Sequence, residues 1–253
     1  MEIPASKPAA NSGVPVPQAG QFANALLNAL DADVIVRLHL RPVTFEVQHE
    51  LEYPGTLIDH LYFIEAGMAS MTTTFKNGGQ VEVGMFGYNS VVGVSALMGT
   101  KCSLNRVYTQ IAGRGCASPV EAARREFALG GSFQQLALGY VQAQLVQVIQ
   151  LAGCNATHNF EQRLARWLLV CADRAQCNTF HMSHEFLSDM LGSTRSTMSI
   201  AAAQLKQEHL IEYTRGVIHI LDVKGLEKKA CECYAAVEDY LDNYLQYDSG
   251  IPA

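Results

Sequence analysis

The 253-residue chain has no cysteine before Cys102, no CxxC pair, and an odd total of seven cysteines. Scattered, unpaired thiols exclude a disulfide framework and suit a reducing compartment. No run of 18 uninterrupted apolar residues is present, which argues against a membrane span. The first residues also lack the positive start and apolar stretch of a secretory signal. A cytoplasmic protein without membrane contact is therefore expected. Charge is sparse as well, at 17% of residues with a net charge of −6, and no Lys or Arg follows Lys229. That acidity argues at first against nucleic acid. Counting by segment softens the objection: residues 158–229 hold nine Lys/Arg against eight Asp/Glu, and residues 230–253 hold none against five. A DNA-binding part would need its cations gathered on one face, and its phosphate affinity would be modest and salt-sensitive.

What is present is organised around Ser183 to Leu210. Leu187, Met190 and Leu191 share one face of a first helix, and Met198, Ala201, Ala202 and Leu205 stripe a second at helical spacing. Gly192 sits at the sharp turn between them, where φ > 0 is needed. Ser193 or Thr194 is placed to cap the next helix. The outer face of that helix opens with Arg195, Ser196 and Ser199, rich in donors and free of carboxylates. Two β-rich runs follow, Leu210–Tyr213 and Val217–Leu221, around Thr214-Arg215-Gly216, with a further short strand at Thr179–Met182. The pattern predicts a winged helix-turn-helix with Arg215 at the wing tip, within reach of a phosphate.

Three stretches carry a resemblance at this point: Glu161–Leu169 (EQRLARWLL), Phe186–Gly192 (FLSDMLG) and Gly216–Ile220 (GVIHI). On these the chain resembles the Crp/Fnr family of bacterial transcription regulators. The resemblance implies a winged helix-turn-helix in which Arg195, Ser196, Ser199 and Ile200 face the bases. Ser183, His184, Thr194, Thr197 and Arg215 would meet phosphates. Well-known members carry Glu and Arg where this chain has Ser196 and Ile200, so a different operator is expected. Arg195 remains able to pair bidentately with guanine, whereas Ile200 offers only contact with a thymine methyl or internal packing.

Upstream, residues 1–20, with Pro4, Pro8, Pro15 and Pro17, read as a disordered leader. Phe22 to Leu30 reads as a short helix with Phe22, Leu26, Leu27 and Leu30 facing in. From Val34 to about Ala117 the pattern changes to short strands between turns: Val43–Val47, Leu61–Ile64, Met68–Phe75, Val81–Val83 and Val107–Ile111. This predicts a sandwich or jelly roll. Its Tyr53-Pro54-Gly55, Tyr62–Gly67 and Gly87–Gly93 stretches are similar, in order, to the sensor barrel of the same family. Phe133 to about Thr157 is a long helix with two apolar sides. Leu136, Tyr140, Ala143, Gln147 and Gln150 run along one, and Leu138, Leu145, Val148 and Ile149 along the other. The resemblance makes the extra stripe a parallel dimer seam, assigned to the first set, with near-heptad register. His158–Arg174 reads as the first helix of the DNA-binding domain, with Arg163 and Arg166 outward. Lys224 to about Tyr247 reads as one further amphipathic helix, with Leu226, Ala230, Cys233, Val237, Tyr240, Leu241 and Tyr244 packing inward.

Little in the chain supports enzymatic chemistry. A cupin-type metal site needs a paired HxH cluster, and the barrel offers only the isolated His39, His49 and His60. His181-Met182-Ser183-His184-Glu185 is not HExxH. Cys231 and Cys233, two apart on a predicted helix, should diverge. Together with Cys171 and Cys177 they read as structural thiols, so no metal and no cofactor are expected. The family's cyclic-nucleotide pocket pairs Gly-Glu with a later Arg-Ser. Here the positions fall on Gly93-Val94 and Asn105-Arg106, so the glutamate and the serine are missing. An effector pocket at Gly93, Val94 and Arg106 would not suit cyclic AMP, since a buried phosphate without partners costs several kcal/mol.

The expectation is an α+β chain in five parts: a leader (1–20), a jelly-roll sensor (21–130), a dimerisation helix (131–157), a winged helix-turn-helix (158–225) and a C-terminal helix with tail (226–253). It would act as a homodimeric regulator, not an enzyme, on a palindromic site in double-stranded DNA. RNA polymerase and an unidentified small-molecule effector are the further partners the resemblance implies. The alternative is a sensor or interaction module of the same fold with DNA binding lost.

Overall fold

A computed structural model of the chain describes residues 16–243 apart from 77, and backbone only at 242 and 243. The leader up to residue 15 and Tyr244–Tyr247 of the expected last helix lie outside the described residues. Helices α1 (Ala25–Asn28) and α2 (Ala32–Arg37) come first. The expected Phe22–Leu30 helix is therefore shortened to Ala25–Asn28, and Val34–Arg37 is helical rather than the first strand. The Asn24 carboxamide accepts from the N–H groups of both Leu26 and Leu27 and starts α1. Val34, Ile35 and Leu38 then fall at helical spacing and are buried.

A six-stranded antiparallel sheet rolls over on itself to make the jelly roll. Its strands are β1 (Arg41–Phe45), β2 (Glu50–Glu52), β3 (His60–Thr74), β4 (Gln80–Phe86), β5 (Val91–Val92) and β6 (Arg106–Pro119). The order is β1-β6-β3-β4, with β2 on β6 and β5 on β3. Leu61–Ile64 and Met68–Phe75 are one strand rather than two. Register shifts between Ile64, Ala66 and Met68 against β6 absorb the Gly67 break as a bulge that bends the strand without ending its pairing. Along β3 successive residues face opposite cores. Tyr62 and Ile64 join Val43, Phe45, Phe86 and Val107 on one side. Leu61 and Phe63 join α1, α2 and the helices that follow on the other.

After α3 (Val120–Ala128) comes the 26-residue α4 (Ser132–Thr157), which contains no Asp, Glu, Lys or Arg. By length and composition alone α4 resembles a membrane span. Its six glutamines and its packing on the sheet and α3 argue otherwise. Helix α5 runs from Phe160 to Ala175, two residues later than the expected His158 start, with Asn159 and Gln162 forming a reciprocal capping box. The C-terminal unit continues with β7 (Thr179–His181), α6 (His184–Met190), α7 (Arg195–Gln207), β8 (Ile211–Thr214) and β9 (Val217–Ile220), paired in the order β7-β9-β8. Trp167, Leu164, Leu168, Leu187, Met198 and Leu205 are among the buried residues of its core, which also takes in Met68 and Met85 from the jelly roll. The two domains therefore share a core, and their approach is close. A Cβ on Gly87 would lie 2.3 Å from the carbonyl oxygen of Arg174.

The single C-terminal helix expected from Lys224 onward is instead two, α8 (Val223–Lys229) and α9 (Cys233–Asn243). Ala230 is extended and ends α8. Cys231 thus lies at the turn and Cys233 opens α9, so the two are not along one helix, and both are buried. Helix α9 is clamped to α5 by a bidentate Arg174–Glu238 pair at 2.7 and 3.1 Å, with the guanidinium buried.

Candidate nucleic-acid interface

Local chemistry builds the reading helix. Ser183 caps α6, its hydroxyl oxygen accepting from Phe186 N–H at 3.1 Å. Gly192 takes φ +60° at the turn. Of the two cap candidates it is Thr194 that caps α7, its hydroxyl accepting from Thr197 N–H at 3.2 Å and lying 2.9 Å from both Ser196 Oγ and Thr197 Oγ1. The apolar stripe Met198, Ala201, Ala202 and Leu205 is buried, which turns Arg195, Ser196 and Ile200 outward. Ile200 is 63% exposed, so it does not pack internally. An uncovered N-terminus of a 13-residue helix also offers free N–H groups to a phosphate.

Two expected contacts have another role. The Ser199 hydroxyl donates to the Arg195 carbonyl at 2.9 Å and therefore accepts from His184 Nδ1, also at 2.9 Å. The His184 ring stacks on Tyr213 at 4.2 Å, and its Nε2 is buried without a partner. As placed, His184 offers neither nitrogen to a phosphate, since Nδ1 is engaged by Ser199 and Nε2 is buried. It is a positioning residue that ties α6 to α7 and to the wing. Burial, then the charge of Arg195, holds its pKa below the usual histidine value. The donor face of α7 narrows accordingly from the expected set to Arg195 and Ser196.

At the wing, Arg215 and Gly216 take φ +51° and +79°, as the two-residue turn joining β8 to β9 requires. Arg215 is exposed at the tip. Among the described residues, no ion pair ties Arg195 or Arg215, whereas Lys206 is paired with Glu212 at 2.5 Å and Lys229 with Glu208 at 2.5 Å. Two free arginines, one at the start of the reading helix and one at the wing, fit a duplex with a phosphate-lined groove.

Residues 162–229, which hold this whole unit, match the model of the Crp-like helix-turn-helix domain. These residues form a Crp-like helix-turn-helix domain. A curated relative, the "Global nitrogen regulator" of a Nostoc strain, is 24% identical over 179 residues, covering 66% of this chain and 79% of its own. Among solved structures, a putative Crp/Fnr-family transcriptional regulator from Eubacterium rectale aligns with TM-score 0.63 and 17% identity over 81% of this chain and 97% of its own. FixK2 from Bradyrhizobium japonicum aligns with TM-score 0.65 and 14% identity over 76% and 98%. Both alignments show the same overall fold across most of this chain.

The three expected effector residues do not line one cleft: Arg106 stands apart from Gly93 and Val94. Arg106 is held at the sheet edge by Glu50, with Nε 2.9 Å from the carboxylate, by Gln80 at 3.2 Å, and over the Tyr108 ring at 4.5 Å. It lines a cleft of about 290 Å³ with Glu50, Tyr53, Thr74 and Gln80, away from Gly93 and Val94. Gly93 instead gives its backbone N–H to Glu52, whose carboxyl also accepts from Ser103 Oγ. Burial raises the pKa of Glu52. The chain's own carboxyl therefore takes the backbone donor that an anionic ligand would need.

The stripe assigned to the dimer seam needs correcting as well. Tyr140 and Ala143 are each 1% exposed and belong to the chain's own core, with Leu136 packed against it. Gln147 and Gln150 line a small internal cavity with Glu82, Arg166 and Cys233. The free stripe is the other one, Leu138, Leu145, Val148 and Ile149. Arg166 likewise faces that cavity rather than solvent, and Arg163 donates to the Leu191 carbonyl. The physical reason is the same throughout. The sheet covers the side of α4 carrying the large Tyr140 ring, and α5 turns its arginines toward the joint between the domains.

Sequence reasoning also missed Glu82. This β4 carboxylate is fully enclosed, accepting from Trp167 Nε1 of α5 at 2.7 Å and from Ser70 Oγ. Burial pushes its pKa up to about 7, against the lowering effect of those hydrogen bonds and of Arg166. In the sequence it is only an alternating polar position in Val81-Glu82-Val83. No local signal marks it as the polar contact between sensor and DNA-binding domain.

Proposed function

We propose that the chain acts as a cytoplasmic homodimer, with jelly-roll, α4 and winged units as its sensor, dimerisation and DNA-binding parts, reading a palindromic DNA site through Arg195. Ser196 and Ile200 flank it, and Ser183, Thr194, Thr197 and Arg215 hold the backbone. The observation that carries this reading is the pair of exposed arginines, Arg195 on α7 and Arg215 at the wing, that no ion pair ties among the described residues. In a dimer the two reading helices would enter successive major grooves about 34 Å apart. Replacing Arg195 by Ala is expected to cost roughly 1–3 kcal/mol on the selected site and to relax preference at one base pair per half-site. Arg215→Ala should weaken binding to all sequences alike and lower the salt slope by about one. Site selection from random DNA, followed by binding curves at several salt concentrations, checks both. Equal losses on selected and random DNA for Arg195→Ala would refute the base-reading role, and no selected sequence at all would favour an interaction module with DNA binding lost.

The sensor is proposed to take a ligand other than cyclic AMP or cyclic GMP, or none. Val94 accepts nothing from a ribose hydroxyl, Arg106 is engaged by Glu50, and Glu52 holds the Gly93 N–H. Two unsatisfied polar groups at about 1–3 kcal/mol each move a micromolar site toward millimolar. Titration calorimetry with either nucleotide should show no saturable heat below about millimolar concentration, and a micromolar midpoint would overturn the reading.

A further inference from the structure

Three buried cysteines and a histidine converge where α4 hands over to the DNA-binding domain. Cys154 lies in the last turn of α4, and His158 is its C-cap, with Asn159 already capping α5. Cys231 comes from the turn between α8 and α9, and Cys233 opens α9. Cys154 Sγ is 3.5 Å from Cys231 Sγ, Cys233 Sγ is 3.6 Å from His158 Nδ1, and the four donor atoms all lie within 4.8 Å of one another.

All seven cysteines are free, and 3.5 Å is far beyond a sulfur–sulfur bond of about 2.05 Å. A tetrahedral zinc ion with Zn–S of about 2.3 Å and Zn–N of about 2.0 Å separates its ligand atoms by about 3.5–3.8 Å. The Cys154–Cys231 and Cys233–His158 spacings have that size, and the others, all within 4.8 Å, need only a small inward shift of the side chains. Iron–sulfur clusters spread their four protein ligands over two or four iron atoms, a wider frame than this tight group provides.

The surroundings are arranged for a ligand set rather than for three apolar thiols. His158 Nε2 lies 3.3 Å from the Glu232 carboxylate, so Nδ1 is the nitrogen turned to the sulfurs. That carboxylate–imidazole pairing is the usual outer support of a metal-bound histidine. Gln150 Nε2 donates to Cys233 Sγ at 3.1 Å. The guanidiniums of Arg163 and Arg166 interact electrostatically with Cys154, and each keeps a buried Nε without a partner. Three thiolates around a dication leave one net negative charge, which these arginines offset.

We propose that Cys154, His158, Cys231 and Cys233 bind a single zinc-type divalent cation in a closed Cys3His site. Binding replaces three S–H bonds by three S–metal bonds and releases three protons to solvent, with no change of oxidation state. The ion would fasten the segment after α8 to the joint between α4 and α5, fixing the angle at which the DNA-binding domain leaves the dimer helix.

The test uses the full-length chain, purified under reducing conditions and titrated with cobalt(II) as a spectroscopic probe. The expected result is one equivalent per chain, with thiolate-to-cobalt charge transfer and the intense visible bands of a tetrahedral ion, displaced by one equivalent of zinc(II). Cys231→Ser should lose the site, while Cys177→Ser, outside the group, should retain it. Glu232→Gln alters a largely exposed side chain and keeps the core intact, and it should weaken zinc affinity about 10–100-fold. No stoichiometric uptake by the folded, reduced chain would overturn the proposal, as would iron with acid-labile sulfide at the same cysteines or equal loss in Cys177→Ser.

Discussion

Glu82→Gln is expected to abolish a fall in stability of about 3 kcal/mol that the native protein undergoes as pH rises from about 4.5 to about 7. In the unfolded chain the carboxyl releases its proton near 4.5, whereas burial holds it on in the folded chain until about 7. Between those values the native state binds more protons than the unfolded state, so each rise in pH favours unfolding. Above the window the loss is complete, and below it the group has no effect. Glutamine cannot ionise, yet its carbonyl still accepts from the Trp167 indole and its amide can donate to Ser70. Urea midpoints of both proteins at pH 5 and pH 8 check this. The native protein should lose stability between them relative to the variant, and parallel curves would refute the assignment. Because Glu82 lies on β4 and Trp167 on α5, the same measurement reports on the polar contact between the two domains.

Leu145→Asp is expected to convert a dimer into a monomer at micromolar concentration and to take high-affinity binding of a palindrome with it. Leu138 and Leu145 are seven residues apart and about half exposed, and Val148 and Ile149 continue the same side of α4. Seven-residue spacing on the side of α4 that the chain leaves exposed suits a two-helix seam between copies. In a symmetric pair the two aspartates would meet their own copies. An uncompensated buried charge costs about 3–5 kcal/mol, which corresponds to a weakening of roughly a hundred- to several-thousand-fold. Tyr140→Phe, a change inside the chain's own core, should leave the assembly unchanged. Sedimentation velocity on the three proteins decides the matter, and a Leu145→Asp dimer would remove the exposed stripe from the interface.

The helix-turn-helix was legible because its instructions are local. The cap at Thr194, one of two candidates, the turn at Gly192, the three- and four-residue spacing of the apolar stripe and the two-residue wing turn each act within a few positions. Each appears in the structure where the spacing put it. The barrel was legible as a set of strands, although β3 ran through Gly67 because the pairing of β6 across the bulge outweighed the local break. Tertiary structure alone decided which side of α4 is core, since a charge-free helix with two apolar sides contains no reason to prefer either. It alone turned His184 inward onto Tyr213, across 29 residues of chain, and enclosed Glu82 beneath a tryptophan 85 residues away. It also ended α8 at Ala230, so that Cys231 meets Cys154 across 77 residues. A sequence pattern records periodicity along the chain, and these contacts depend on which surfaces remain to be covered once every local element has formed.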